Sequence, residues 1–177
     1  MTCIVAIVDG GSILMGADSA GVGGLSMNIR KDPKVFINGD MIMGFTSSFR
    51  MGQILMHSFK APKHPKGMDT FEYMTTLFVD EVRKSFKDKG YNRTVDSELK
   101  GGCFLVGYKK KLFKIESDFQ VGMPSERFDS CGCGDDVAFG SLFSTKGRNP
   151  YDRIRLALKA AERYSAGVRA PFLIKEL

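Results

Sequence analysis

The chain has 177 residues, of which 43% are hydrophobic and 26% are charged, and this balance excludes an intrinsically disordered protein. Lysine and arginine number 26 against 20 aspartates and glutamates, but the basic residues are scattered along the chain, so nucleic-acid binding is not expected. No stretch approaches the roughly 20 consecutive apolar residues of a membrane-spanning helix, which excludes a membrane protein of that kind.

The first half of the chain predicts two β-hairpins and then two helices. The apolar run at 3–8 has no basic segment before it and stops at Asp9, so we interpret it as a first strand and not as a signal peptide. The predicted elements that follow are strands at 12–18, 34–38 and 41–45, a helix over 48–60, a loop at 61–67 and a long helix over 70–89. The apolar stripe of that long helix, expected to face the core, is Phe71, Met74, Phe78, Val82 and Phe86.

The second half predicts strands and helices in the same grouped order. Residues 92–100 are polar and predict a loop, and Lys109-Lys110-Lys111 is better explained as a solvated turn than as a phosphate site. The remaining predictions are strands at 103–108, 112–118 and 171–177, a helix after Gly132-Cys133-Gly134, and a helix from Asn149-Pro150 to 165. Because strands and helices come in groups without repeats or a linker, we expect one α+β domain over residues 1–177 with layered antiparallel sheets.

The four cysteines bear on compartment and metal binding. No export signal precedes them, so we expect reduced thiols and a cytoplasmic protein. The spacing Cys131-x-Cys133 lacks the paired pattern of a zinc site, and we therefore expect neither a metal nor a cofactor.

The N-terminus offers a candidate nucleophile. Thr2 follows Met1, and a side chain as small as threonine normally permits removal of the initiator methionine. The new terminus would bear a hydroxyl beside a free α-amine whose reference pKa of about 7.7–8.0 suits a general base near neutral pH. A hydroxyl paired with such an amine is one known form of activated nucleophile.

Two charged residues are candidate partners of this threonine. If the turn after the first strand is a three-residue loop, Thr2 lies opposite Asp18, with Cβ atoms about 5 Å apart, whereas a two-residue loop places Ser19 opposite Thr2. Lys34 opens the next apolar strand and could pair with Asp18. The pair is open to two interpretations, a structural ion pair or a catalytic one in which Lys34 stabilises the deprotonated hydroxyl.

Several segments together resemble a known family. The start Met-Thr-x-Ile-Val, the segment Gly16-Ala17-Asp18-Ser19, and Lys34-Val35 before a glycine-containing strand pair are similar to proteasome β-subunits, and within them to the bacterial HslV peptidases. Gly132-Cys133-Gly134 followed by Val137-Ala138 resembles the family's Gly-Ser-Gly turn. The resemblance covers essentially the whole chain and implies the four-layer αββα sandwich of the N-terminal-nucleophile (Ntn) hydrolases.

The resemblance implies roles for individual residues. Thr2 would be the nucleophile with its own amine as base, Lys34 the electrostatic activator and Asp18 the carboxylate that orients it. An oxyanion-binding N–H would lie near Ser47 and Ser48, where the family carries glycines; serine restricts φ there. Cys133 stands where the family has a serine, and we expect it to lie partly buried beside the nucleophile.

Three functions remain open. The first is a threonine peptidase of a homo-oligomeric, HslV-like ring that cleaves polypeptides, with an ATP-dependent unfoldase as a candidate partner. The second is a catalytically inactive scaffold or assembly subunit, and the third is an Ntn amidase acting on a small amide. Inactive family members usually lose the threonine, lysine or aspartate, and this chain retains all three, which favours the first.

Overall fold

The computed structural model describes residues 1–91, 93–95 and 98–177, and its strands and helices follow one another in groups. In chain order the strands are β1 (Cys3–Asp9), β2 (Ser12–Ala17), β3 (Ala20–Gly23), β4 (Ser26–Ile29), β5 (Val35–Asn38), β6 (Met41–Phe45), β7 (Arg93–Val95), β8 (Glu98–Lys100), β9 (Phe104–Tyr108), β10 (Lys111–Ile115), β11 (Val121–Gly122), β12 (Phe128–Gly132) and β13 (Leu173–Glu176). The helices are α1 (Phe49–His57), α2 (Thr70–Tyr73), which continues through a π-helical segment (Met74–Phe78) into α3 (Val79–Asp88), α4 (Asp135–Ser144) and α5 (Pro150–Tyr164).

Two antiparallel sheets stack face to face between two layers of helices. The first sheet has the order β12-β1-β2-β13 and the second the order β11-β10-β9-β6-β5. Helices α4 and α5 cover the first sheet, while α1 and the α2–α3 helix cover the second. The predicted four-layer αββα sandwich is therefore confirmed.

Strand β1 shows why the N-terminal run is apolar at every position. Its alternate residues Cys3, Val5 and Ile7 pack against α4 and α5, whereas Ile4 and Ala6 pack against the second sheet. Because successive side chains of a strand point to opposite faces, burial on both sides removes the usual polar alternation. The strand is thus fixed in the centre of the molecule, and its first residue places Thr2 at one end of the sandwich.

The register of the first hairpin differs from the three-residue loop considered above. Val8 pairs with Ile13 and Asp9 with Ser12, so the loop holds only Gly10 and Gly11. Both glycines have positive φ angles of 55° and 101°, which two-residue hairpin turns demand at their central positions. Asp18 consequently does not lie directly opposite Thr2, and its carboxylate reaches the site by a different route, described below.

Other predictions were wrong in part. The predicted loop at 92–100 contains the short strands β7 and β8, and its residues 92, 96 and 97 lie outside the described residues. Phe71 is 39% exposed although it was placed in the core stripe; it lies in the first turn of the helix, before the π-helical segment. The hairpin β3–β4 and the strands β11 and β12 were not predicted.

Membrane insertion of a helix finds no support in the part of the chain that the structure describes. Within it, no helix combines the length and the apolar character needed to cross a bilayer.

Candidate active site

Three of the predicted residues meet at the end of the sandwich where β1 begins. The Lys34 Nζ lies 3.0 Å from the Thr2 Oγ1 and 2.9 Å from the Asp18 Oδ1. Each residue stands next to a strand end, since Thr2 precedes β1, Asp18 follows β2 and Lys34 precedes β5. Lys34 therefore comes from the second sheet, whereas Thr2 and Asp18 come from the first. The three side chains can make contact only when the two sheets are stacked.

The Asp18 carboxylate is held by backbone donors as well as by the lysine. Its Oδ1 accepts from the Cys3 N–H at 3.0 Å, and its Oδ2 accepts from the Ala20 N–H at 2.8 Å and the Arg169 N–H at 3.3 Å. These bonds satisfy a buried charge that would otherwise be costly, and they fix the carboxylate in one orientation. Asp18 can thus aim the Lys34 ammonium at Thr2 without being opposite Thr2 in the hairpin.

Lys34 has almost no contact with solvent. Its side chain is 1% exposed and that of Asp18 is 0% exposed. Burial lowers the pKa of the Lys34 ammonium, because water no longer solvates the charge, and the adjacent Asp18 carboxylate opposes that shift. A buried ammonium that touches a hydroxyl oxygen can stabilise the alkoxide that forms when the hydroxyl loses its proton.

The N-terminal methionine occupies the mouth of this site. The Thr2 hydroxyl donates to the Met1 carbonyl oxygen, and the Thr2 N–H donates to the Cys133 Sγ at 3.3 Å. Met1 lines, together with Thr2, Val22 and Ser47, a cleft of only about 40 Å³. With Met1 in place the Thr2 nitrogen is an amide, which has no basic lone pair.

Cys133 lies beside Thr2 as predicted, but it is exposed and not partly buried. Its Sγ also accepts from the Ser165 hydroxyl at 3.1 Å, and the same hydroxyl lies 3.2 Å from the Cys133 carbonyl oxygen. Ser165 was missed by the sequence analysis, which took it only as the end of the last helix. The structure shows a chain of hydrogen bonds from Ser165 through Cys133 to the Thr2 nitrogen.

Two other thiols near the site, those of Cys3 and Cys131, are poor nucleophile candidates. Burial raises the pKa of the Cys3 thiol and the pKa of the Cys131 thiol, so both stay protonated and apolar near neutral pH. Exposed Cys133 is therefore the thiol that must be distinguished from Thr2 by experiment. Within residues 1–91, 93–95 and 98–177, no group of three or more His, Cys, Asp or Glu side chains is placed to hold a metal ion.

The two serines predicted near the oxyanion site have different local roles. Ser48 caps α1, because its hydroxyl accepts from the Arg50 N–H at 3.1 Å, and its own N–H donates to the Thr46 carbonyl oxygen at 2.7 Å. The Ser47 N–H has no acceptor among the described residues, and Ser47 lines the cleft beside Thr2. Of the two, Ser47 offers the unoccupied donor.

Ser47 holds this position in the conformation that favours glycine. Its φ angle is 64°, which costs a residue with a Cβ roughly 1–2 kcal/mol. Its hydroxyl accepts from the Cys103 N–H at 3.1 Å and lies 3.1 Å from the Thr46 Oγ1. The side chain thus supplies local contacts that keep the strained turn in place.

Gly132 is the close neighbour that fixes the backbone of Thr2. Its φ angle is 108°, and a Cβ built on it would lie 2.2 Å from the Thr2 carbonyl oxygen. Gly132→Ala should therefore push Thr2 away from Lys34 and lower the free energy of unfolding by at least about 2 kcal/mol. Thermal unfolding of Gly132→Ala tests this prediction. Gly140→Ala is the control, because Gly140 is exposed and nothing lies within 4 Å of a Cβ there. An unchanged melting temperature for Gly132→Ala would contradict the prediction.

Comparisons with solved structures agree with this architecture. BPH from Thiobacillus denitrificans superimposes with a TM-score of 0.81 at 18% sequence identity, covering 99% of this chain and 98% of that one. Eukaryotic HslV from Trypanosoma brucei gives a TM-score of 0.73 at 18% identity and covers 99% of both chains. The chain has the proteasome-like Ntn-hydrolase fold.

This HslV-like fold extends to a third relative, while sequence comparison adds nothing. Anbu from Hyphomicrobium sp. strain MC1 gives a TM-score of 0.71 at 15% identity, covering 98% of this chain and 80% of that one. No protein-family model and no curated protein matches the sequence. The likeness therefore lies in the arrangement of strands and helices.

Proposed function

We propose that this chain is a threonine-type peptidase subunit of an HslV-like ring, and that it cleaves peptide bonds through Thr2 once Met1 has been removed. The observation that supports this proposal best is the buried contact of the Lys34 Nζ with both the Thr2 Oγ1 and the Asp18 Oδ1. A purely structural ion pair between Lys34 and Asp18 would need no nucleophile, whereas here the ammonium also donates to a hydroxyl at the chain terminus.

The proposed reaction is acyl transfer in two stages. The free Thr2 amine takes the proton of the Thr2 hydroxyl, and Oγ1 attacks the substrate carbonyl carbon. The Ser47 N–H donates to the oxyanion of the tetrahedral intermediate, and Lys34 stabilises negative charge on Oγ1 as it develops. The C–N bond then breaks, the leaving amine takes the proton, and an ester remains on Thr2. Water attacks that ester and regenerates the hydroxyl.

The state of the N-terminus gives the first test of this mechanism. One preparation would carry a cleavable fusion whose removal leaves Thr2 as the first residue; the other would carry an extra glutamate between Met1 and Thr2 to prevent trimming. We expect hydrolysis of fluorogenic peptides only in the first, because acylation removes the basic lone pair of the Thr2 nitrogen.

The matched readouts separate chemistry from folding. Mass spectrometry would establish each N-terminus, and thermal unfolding should show similar melting temperatures for the two proteins. Equal hydrolysis by both would contradict the proposal, and no hydrolysis by either would favour the inactive scaffold. The structurally similar BPH from Thiobacillus denitrificans forms a complex with epoxomicin, and we propose the same compound as a ligand of the cleft beside Thr2.

Ring assembly is the second part of the proposal. The chain exposes large apolar side chains on the hairpin β3–β4, where Leu25, Met27 and Ile29 are 108%, 41% and 53% exposed, and on α4, where Phe143 is 59% exposed. Such side chains are more costly on a monomer than in a contact between subunits. We therefore expect light scattering to give a mass several times 19.6 kDa, and a monomer at micromolar concentration would contradict the ring.

The third part of the proposal concerns the compartment and the partner of the ring. We propose that the ring acts on polypeptides in the cytoplasm, where thiols stay reduced, and all four cysteines are free in this structure. An ATP-dependent unfoldase that supplies unfolded chains belongs to the same proposal, because a cleft at one end of a compact subunit accepts extended polypeptide and not folded protein.

A further inference from the structure

An open cavity of about 390 Å³ lies at the end of the sandwich opposite Thr2. Strand β1 begins beside Thr2 and ends at the Gly10-Gly11 turn, and β9 begins opposite the end of β6 and ends at the Lys109-Lys110 turn. Both turns therefore lie far from the catalytic end. The lining includes Val8, Gly11, Lys110, Leu112, Met123 and Arg127.

The cations around this cavity are poorly neutralised. Within the described part of the chain, neither Lys110 nor Arg127 forms a salt bridge. Lys111 lies 4.0 Å from Asp69, at the outer limit of an ion pair. The acidic residue in the lining is Glu126, and its Oε1 forms a salt bridge with the Lys146 Nζ at 2.8 Å. The cavity consequently presents a net positive charge.

The turn that holds the lysines is strained. Lys109 and Lys110 have φ angles of 46° and 62°, the pair of values that hairpins usually assign to Asn-Gly. The stem of Lys110 lies across the first hairpin, with its Nζ 3.5 Å from the position that a Cβ on Gly11 would take. Strain of this type persists where the side chains have a use that a relaxed turn could not supply.

A neighbouring loop brings further positive charge to the same end. The His64 Nδ1 lies 3.1 Å from the Tyr108 hydroxyl, and the His64 ring stacks on Tyr73 at 4.3 Å. These contacts hold the loop that bears the exposed lysines Lys63 and Lys66 against the end of β9. Two further exposed cations therefore lie on a loop that contacts the same end of the fold.

We propose that this cavity docks an acidic segment of a partner protein, with an aliphatic side chain on the apolar floor and carboxylates on Lys110 and Arg127. The apolar side chains of Val8, Leu112 and Met123 offer no hydrogen bond or charge to a phosphate backbone, but they can bury an aliphatic side chain. Charge complementarity and apolar contact together favour a peptide over a nucleic acid. The proposal does not depend on the proposed peptidase activity, because the cavity lies away from Thr2.

Fluorescence anisotropy with labelled short peptides tests the proposal on the intact protein. The probe alternates glutamate with leucine, its neutral counterpart alternates glutamine with leucine, and single-stranded DNA is the third ligand. We expect saturable binding of the acidic peptide alone. Lys110→Glu and Arg127→Glu should each weaken it at least about tenfold, whereas Lys87→Glu, an exposed lysine of α3 outside the cavity, should not.

A turn variant distinguishes loss of the site from loss of the fold. K109N/K110G installs the relaxed turn, so we expect a higher melting temperature together with at least about tenfold weaker peptide binding. Full binding by this variant would overturn the proposal, as would equal losses in Lys87→Glu and Lys110→Glu, which would indicate general charge attraction. Tighter binding of DNA than of the acidic peptide would also overturn it.

Discussion

Lys34→Ala should lose nearly all peptide hydrolysis and should also destabilise the fold. The substitution removes the ammonium 3.0 Å from the Thr2 Oγ1, and because Lys34 acts electrostatically we expect the rate to fall by about 10²–10³-fold. It also leaves the buried Asp18 carboxylate without its counter-charge, which typically costs about 3–5 kcal/mol of unfolding free energy. Denaturant unfolding and peptide hydrolysis, measured on the same preparation, check both effects.

Two controls locate the cause of that loss. Lys31→Ala removes an exposed lysine three positions earlier and should change neither the rate nor the unfolding free energy by a measurable amount. The double variant of Lys34→Ala with Asp18→Ala should be less destabilised than the sum of the single variants, because the uncompensated charge is gone. Additive effects of the two substitutions would contradict the coupling that the structure shows.

Thr2→Ala should abolish hydrolysis with little effect on stability. Removal of a nucleophile in comparable acyl-transfer enzymes costs on the order of 10⁶-fold in rate. The hydroxyl contributes one hydrogen bond from Lys34, so the loss of unfolding free energy should stay below about 1.5 kcal/mol. The measurement is peptide hydrolysis by protein whose N-terminus has been verified by mass.

Thr2→Ser provides the matched control for that substitution. It retains both the hydroxyl and the free amine, so we expect it to keep a substantial part of the activity. Undiminished hydrolysis by Thr2→Ala would show that a different group, with exposed Cys133 as the leading candidate, attacks the substrate.

Local signals predicted layered antiparallel sheets, and the family resemblance implied the αββα sandwich; both agree with the fold because those signals agree with the tertiary packing. Three local signals have the same role in the fold as in the sequence pattern. Gly10-Gly11 forms a hairpin turn, Asn149 caps a helix, and the continuous apolar run of β1 is buried on both faces. The meeting of Thr2, Asp18 and Lys34 could be predicted from the family resemblance. The hairpin alone left two pairings open, and the structure has the two-residue loop, which does not place Asp18 opposite Thr2.

What the sequence could not predict depends on contacts between distant segments. Asp18 reaches the site through backbone donors that include the N–H of Arg169, which no spacing rule in a single sequence would indicate. Ser165 contacts Cys133 because the end of α5 packs beside the Gly132-Cys133-Gly134 turn. The π-helical turn before α3 likewise escaped prediction, since its residues have ordinary helical propensities.

The central claim is that Thr2 is the nucleophile, and the most direct test is to find where a reactive substrate analogue attaches. Protein with Thr2 as its first residue would be treated with a peptide that ends in an electrophilic group, and the modified residue would be mapped by mass spectrometry of proteolytic fragments. We predict one adduct per chain on Thr2, absent from Lys34→Ala and from protein that retains Met1. An adduct on Cys133, or on Thr2 irrespective of Lys34 and Met1, would contradict the account.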